Sequence, residues 1–182
     1  MVSVNRYSAV RGSLLGGLAA ALVASAAGAE TDLPEPEYVG DIVAVEGGVA
    51  TPLEKQRTST RARAGALRAR SANEIAGKAS PVRLASQPLR FIVRHDTNTI
   101  NPTQVINVFR MKVNERRDVR LIETGSVGAF TARSMDIDFL PFSSERYGTS
   151  SYLITLDGEL EPGEYAITLD GSRDVFNLFG VD

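Results

Sequence analysis

The chain has 182 residues and no cysteine, and its 20 Lys and Arg nearly balance its 22 Asp and Glu. Without cysteine it has no disulfide, thiol nucleophile or Cys-ligated zinc, and its single histidine excludes a multi-histidine metal site. A hydrophobic share of 43% argues against a largely disordered chain, and the same composition argues against a protein that crosses a membrane many times.

The first 29 residues have the three parts of a secretory signal peptide. Arg6 and Arg11 supply positive charge, residues 13–27 are small and apolar, and Ala27-Gly28-Ala29 fits the small-x-small cleavage rule. The apolar stretch is shorter than the ~20 residues that span a bilayer, although an uncleaved anchor helix is the alternative. We expect cleavage after Ala29, a periplasmic, extracellular or cell-surface protein, and no transmembrane span in the mature chain.

The mature chain is predicted to begin with a tether and to continue as one domain. Residues 30–38 are acidic and broken by prolines, which favours an extended tether outside the core. Residues 39–182 then form the domain. Its charge is segregated, because residues 55–120 hold 15 bases and four acids while residues 134–182 hold two bases and ten acids.

The basic part contains an alternation of arginine and alanine that changes phase across Gly65. This change fits two arms of a hairpin, a bulged strand or a flexible loop, so residues 55–80 could be a basic, flexible insertion. One interpretation is a solvated loop that acidic strands partly neutralise. The other is a site for a polyanion such as a lipid headgroup, surface polysaccharide or peptidoglycan. The candidate ligand-binding residues are Arg57, Arg61, Arg63, Arg68 and Arg70.

Period-2 alternation dominates the chain from residue 89 onward. Residues 89–94 place Phe91 and Val93 on one side, and residues 105–113 and 119–121 form a predicted hairpin around a polar break. Further strands are predicted at 135–139, 152–156, 165–169 and 175–181, the last one covered on both sides. We therefore expect an all-β fold, an Ig-like or Greek-key β-sandwich of roughly eight or nine strands.

A Pro-Gly turn precedes the strand that opens with Tyr165. The sequence Leu160-Glu161-Pro162-Gly163-Glu164-Tyr165 resembles a tyrosine corner, in which a buried ring donates its hydroxyl to backbone a few residues upstream. We assign Pro162, Gly163 and Tyr165 structural roles. Together with the terminal Phe179-Gly180-Val181-Asp182, the motif resembles an uncharacterised family of secreted bacterial β-sandwich domains. The resemblance implies a fold and no activity.

Three other groups of residues are candidates for chemistry, and each has a simpler interpretation. His95 beside Asp96 could orient a general base, but adjacent strand residues face opposite ways, which favours a surface turn. Asp136 and Asp138 share one strand face and could flank a glycosidic bond or bind Ca²⁺, yet the solvent face of a strand explains both. An aromatic sugar platform is the third candidate, against a polar loop, and it comprises Phe142, Tyr147 and Tyr152.

These observations favour an exported, non-enzymatic binding or assembly module of the bacterial cell envelope, without metal or cofactor. Its partner would be an envelope protein, or a polyanionic glycan or lipid headgroup that contacts the basic segment. The net acidic domain and the lack of aromatics among the arginines argue against nucleic acid. Two alternatives stay open, a cell-envelope glycan hydrolase that uses paired carboxylates and a purely structural accessory domain. The sequence indicates no oligomeric state.

Overall fold

The structure is a computed structural model that describes residues 33–64, 68–85, 87–128, 132–133, 137–170 and 174–182. The predicted signal peptide and its cleavage point after Ala29 lie outside these residues, as do Met135 and Asp136. Within the described residues, no helix has the length and apolar character needed to cross a membrane.

The described chain is almost entirely β-structure, which confirms the predicted fold class. It contains more strands than the predicted eight or nine, because the basic segment and several connections also form short strands. One helical turn, α1 (Pro102–Val105), interrupts them. The strands are β1 (Ile42–Glu46), β2 (Val49–Pro52), β3 (Glu54–Arg57), β4 (Ser59–Ala64), β5 (Arg68–Ala76), β6 (Arg83–Leu84), β7 (Arg90–Arg94), β8 (Ile106–Asn114), β9 (Val119–Gly128), β10 (Ala132–Arg133), β11 (Phe142–Tyr147), β12 (Ser151–Leu156), β13 (Gly163–Leu169) and β14 (Val175–Val181).

Two sheets pack face to face as a β-sandwich. The smaller sheet has the order β11-β12-β7-β1-β2, and the larger has the order β3-β14-β13-β8-β9-β5-β4, with β6 beside β14 and β10 beside β9. The core between them includes Phe91 and Ile154 from the smaller sheet and Tyr165, Ile167 and Phe179 from the larger. The Phe179 ring lies 5.0 Å from Phe91 and 5.4 Å from Tyr165, so aromatic side chains join the two sheets.

The larger sheet curls until its two ends meet. Its end strands, β3 and β4, are consecutive in the chain with only Thr58 between them, although five strands separate them in the sheet order. Arg120 on β9 also contacts Glu54 on β3 across the concave side. The concave side encloses a second hydrophobic group, here called the interior cluster, which comprises Ile75, Phe109, Met111, Ile122, Ala166, Phe176 and Leu178.

Most of the predicted strands are present, with two corrections. Alternation puts Ile92 on the side of Arg90 and Arg94, away from Phe91 and Val93, but Ile92 is 1% exposed, and its cross-strand neighbour Leu153 is buried as well. The strand predicted at 135–139 is wrong over its described part. Residues 137–140 make one isolated bridge, Phe109 to Phe139, and Phe139 is left 54% exposed.

Tyr165 makes the backbone contact that the tyrosine-corner motif predicts, and Pro162 and Gly163 contact Arg110. The Tyr165 hydroxyl donates to the Glu161 carbonyl oxygen at 2.6 Å. The Pro162 carbonyl accepts from Arg110 Nη2 at 2.9 Å, and a Cβ at Gly163 would crowd the Arg110 guanidinium at 3.1 Å. At the chain end, Gly180 similarly leaves room for the Arg83 guanidinium, which hydrogen-bonds to the Asp182 carboxylate. Both glycines therefore serve arginine packing rather than turn geometry.

The predicted tether is docked where it is described. Glu35 is hydrogen-bonded to the turn between β11 and β12 and forms an ion pair with Arg94, and the Leu33 carbonyl accepts from the Tyr147 hydroxyl. Pro36 is buried. Residues 33–36 of the predicted tether thus contact the domain, and the hydroxyl and amide groups that Glu35 binds lie more than a hundred residues later in the chain.

Candidate functional site

The backbone register places all five predicted arginines on one side of the curled sheet. On β3, Glu54 lies on the interior side, because it contacts Arg120 across that side. On β5, Ile75 belongs to the interior cluster, and its alternate residue Asn73 lies on the same side. Thr60 on β4 pairs with Asn73 and therefore lies on the interior side as well. Alternate strand residues share a side, so positions 57, 61 and 63 lie on the outer side. Cross-strand partners also share a side, and Arg63 pairs with Arg70, which brings positions 68 and 70 to the same side. We call positions 57, 61, 63, 68 and 70 the arginine face.

Strands β4 and β5 account for the phase change that the sequence shows at Gly65. They are antiparallel neighbours from Ser59 opposite Glu74 to Ala64 opposite Ala69, and β5 has a register shift between Ser71 and Ala72 where it pairs with β9. The segment thus forms the predicted hairpin, whereas the extra residue at this irregularity, position 124, belongs to β9 and not to the basic segment. Because β4 ends the sheet order, the hairpin lies at a sheet edge.

The described side chains of the arginine face lack carboxylate partners. Arg57 and Arg61 are exposed, and neither forms an ion pair with any residue that the structure describes. Several arginines elsewhere do have such partners: Arg83 with Glu164, Arg94 with Glu35, Arg110 with Glu161, Arg117 with Glu74 and Arg120 with Glu54. The backbone register also places positions 63 and 70 directly opposite each other. The face therefore carries positive charge that these residues do not neutralise.

A buried ionic network closes one end of the curled sheet, and the sequence analysis missed it. The Arg120 side chain is 1% exposed and forms two hydrogen bonds to the Glu54 carboxylate, at 2.8 and 3.0 Å. Glu164 lies 3.7 Å from Arg120 Nη1 and accepts from the Ser80 amide at 2.8 Å. Burial alone would raise the pKa of Glu54, but hydrogen bonds from Arg120 and Ser80 outweigh it and lower that pKa.

The structure brings one of the two other predicted pairs into contact and describes only half of the second. His95 and Asp96 are in contact, contrary to the expectation of opposite faces, because both lie beyond the end of β7 in a turn. The His95 Nδ1 atom is also 3.0 Å from the Thr97 carbonyl oxygen. Asp138 is exposed, and its predicted partner Asp136 lies outside the described residues. In the part of the chain that the structure describes, no three His, Asp or Glu side chains are grouped so as to hold a metal ion.

The three aromatic residues of the predicted sugar platform make different packing contacts and do not form one exposed surface. Tyr152 is 1% exposed in the sandwich core and donates its hydroxyl to the Ile100 carbonyl at 2.9 Å. Phe142 packs against the same core, and the Tyr147 hydroxyl is engaged by Leu33. These rings therefore serve packing and do not present a common surface to a sugar.

The comparisons with known proteins give no relative. No model of a protein family, no curated protein and no solved structure matches the chain. The resemblance to a family of secreted β-sandwich domains thus stays a prediction.

Proposed function

We propose that this protein is an exported, non-enzymatic binding module of the bacterial cell envelope that contacts a polyanion through the arginine face. The observation that carries the proposal is the register of β4 and β5, which gathers positions 61, 63, 68 and 70 on the outer side of one sheet edge, with Arg57 of β3 on the same side. Alternate strand positions lie about 7 Å apart and cross-strand neighbours about 5 Å apart. An array of that spacing suits repeated phosphate or carboxylate groups better than a single small anion.

The uncompensated positive charge of the arginine face favours a partner that supplies negative charge. The register places position 63 opposite position 70, and the exposed Arg61 is the alternate residue to position 63 on β4, so the positive positions of the face are close neighbours. The exposed Arg57 and Arg61 have no carboxylate to lose on binding, whereas the paired arginines would have to break an existing ion pair. Binding at the arginine face therefore needs little rearrangement of the domain.

The hydrolase alternative is supported less well. It requires two carboxylates from different strands in an accessible cleft. Glu54 and Glu164 do come from different strands and converge, but both contact Arg120 and both are largely buried. Such carboxylates are neutralised and closed to a glycan chain, and Asp138 faces solvent without a described partner carboxylate.

We expect the double variant Arg57→Gln/Arg61→Gln to weaken polyanion binding. Each arginine near an anionic surface contributes about 1 kcal/mol, so the loss for two is about 2 kcal/mol, or roughly 30-fold in affinity. Binding is measured to phosphatidylglycerol-containing vesicles and, separately, to soluble dextran sulfate across a salt series. Wild-type affinity should fall with rising salt. Preference for one probe separates a lipid headgroup from a glycan.

The matched control is Arg116→Gln/Arg146→Gln, which removes the same charge from exposed positions outside the arginine face. It should retain most of the wild-type affinity. Equal losses in the two doubles would reduce the effect to net charge and contradict a dedicated face. Absence of salt-sensitive binding to both probes would leave the structural accessory domain as the better description.

The exported location is tested separately, because it depends on residues 1–29. If the signal peptide is cleaved after Ala29, N-terminal sequencing of the protein recovered from the cell envelope or medium will read Glu-Thr-Asp-Leu from Glu30 onward. A sequence that starts at Met1 in that fraction would instead indicate an uncleaved anchor. Recovery with the cytoplasmic fraction alone would contradict export.

A further inference from the structure

Among the residues that the structure describes, nothing closes the curled sheet at the end opposite the ionic network. Strands β8 and β9 pair only from Lys112 to Asn114, and beyond this point β9 leaves β8 and pairs with β5 and β10. The first half of β8 is bordered on that side by the single bridge to Phe139. A cavity of about 310 Å³ lies in this opening. Its volume falls at the lower end of the range of small-molecule sites.

Aromatic rings line the cavity and continue the interior cluster to the surface. The Phe109 ring lies edge-to-face with Phe176 at 5.5 Å and with Phe139 at 6.2 Å. Phe109 and Phe176 are buried, whereas Phe139 stands at the rim with about half of its surface in water. The backbone on both sides of Phe139 is fixed to β8, because Arg110 N donates to the Asp138 carbonyl and Leu140 N donates to the Val108 carbonyl at 2.8 Å. This ring is therefore held in place by backbone pairing and still offers one face to an occupant.

Polar groups at the cavity favour a neutral occupant that accepts a hydrogen bond. Asn73 Oδ1 accepts from the Thr60 hydroxyl at 3.1 Å, which leaves the Asn73 amide hydrogens as donors. The Asn107 side-chain amide has no partner among the residues that the structure describes. No lysine or arginine is among the described lining residues, which disfavours an anion as the occupant.

We propose that this cavity binds a small neutral molecule with a flat, apolar ring and one carbonyl or hydroxyl acceptor. The ring would pack between Phe139 and the interior cluster, and the acceptor would meet the amide groups of Asn73 and Asn107. The site is separate from the arginine face, whose positions lie on the outer side of the sheet, so neither proposal depends on the other.

The probe for this site is 6-propionyl-2-(dimethylamino)naphthalene, a neutral ring with a ketone whose emission moves to the blue in an apolar environment. The absence of tryptophan from the chain keeps intrinsic fluorescence low. We expect a saturable blue shift with wild-type protein and an approximately tenfold weaker affinity with Phe139→Ala, since one aromatic contact contributes about that factor. The exposed Tyr38→Ala is the matched aromatic control and should bind as wild type.

A pair of threonine substitutions distinguishes this cavity from its neighbour. Phe139 also borders a second cavity, which Thr103 lines and Thr168 does not. Thr168→Phe should fill the proposed site and abolish the saturable shift, whereas Thr103→Phe should leave it unchanged, with circular dichroism and thermal melting confirming that both variants fold. A wild-type protein that gives no saturable shift would overturn the proposal. So would a folded Thr168→Phe variant that binds as tightly as wild type.

Discussion

Arg120→Met is expected to destabilise the folded domain by about 3–5 kcal/mol, the cost of removing one partner from a buried ion pair. The substitution keeps most of the side-chain volume but leaves Glu54 and Glu164 facing each other without their shared cation. It also leaves the Gly77 carbonyl without its donor from Arg120 Nε at 3.0 Å. Urea unfolding at neutral pH measures the loss, as a lower midpoint at unchanged slope.

A double variant shows whether uncompensated charge causes that loss. Arg120→Met/Glu54→Gln should be more stable than Arg120→Met alone, because it removes the buried charge of Glu54, which loses its guanidinium partner in the single variant, whereas Glu164 keeps Arg83. Arg116→Met is the matched control on an exposed turn residue, and its effect should stay within about 0.5 kcal/mol. If Arg120→Met and Arg116→Met unfold at the same urea concentration, the network does not hold the curled sheet closed.

The network and the cavity occupy opposite ends of one interior. Along β13, Glu164 lies at the network, Ala166 belongs to the interior cluster, and Thr168 lines the cavity. As far as the described residues go, the curled sheet is thus sealed by charge at one end, filled by apolar side chains in the middle and open at the other end. This order explains why an ionic network is buried in so small a domain. The network joins β3, β9 and β13 at the end where the larger sheet closes on itself.

Local alternation predicts the strands of this fold well but does not predict the closure of the larger sheet. The stretch from Tyr165 to Leu169 forms the strand its pattern indicates, and the phase change at Gly65 corresponds to a real hairpin. Arg120 is different, because alternation places a lone arginine on the solvent side of its strand. Its partner Glu54 lies 66 residues earlier in the chain, and a contact at that separation leaves no local pattern.

The two candidate sites, the arginine face and the cavity, also differ in how far the sequence predicts them. The five arginines are visible in the sequence as a charge pattern, and register then shows that they share one side. The sequence does not predict the cavity, because Phe139 lies in a stretch whose alternation predicts a buried strand residue. Its exposure results from the departure of β9 from β8, which is a property of the whole sheet. Glu35 likewise resembles a solvated acid between prolines until the distant turn that binds it is known.

Glu35→Gln should destabilise the domain by about 2 kcal/mol at pH 7, through lost charge-assisted hydrogen bonds. The carboxylate accepts from Thr149 N and Thr149 Oγ1 at 2.6 Å and from Ser151 Oγ at 2.6 Å, and it pairs with Arg94. Burial alone would raise the pKa of Glu35, but hydrogen bonds from Ser151, Thr149 and Ser150 outweigh it and hold the pKa far below its usual value of 4.5.

The pH dependence of that loss follows from the lowered pKa. The stabilisation by Glu35 is complete above the pKa of the unfolded chain and is lost as pH falls toward the pKa of the folded protein. The difference in unfolding free energy between wild type and Glu35→Gln should therefore be constant from pH 7 to about pH 5 and shrink below about pH 4.5. Glu37→Gln, which removes the same charge from an exposed neighbour, should show neither the loss nor the pH dependence. A Glu35→Gln variant as stable as wild type at pH 7 would mean that residues 33–36 do not dock on the domain in solution.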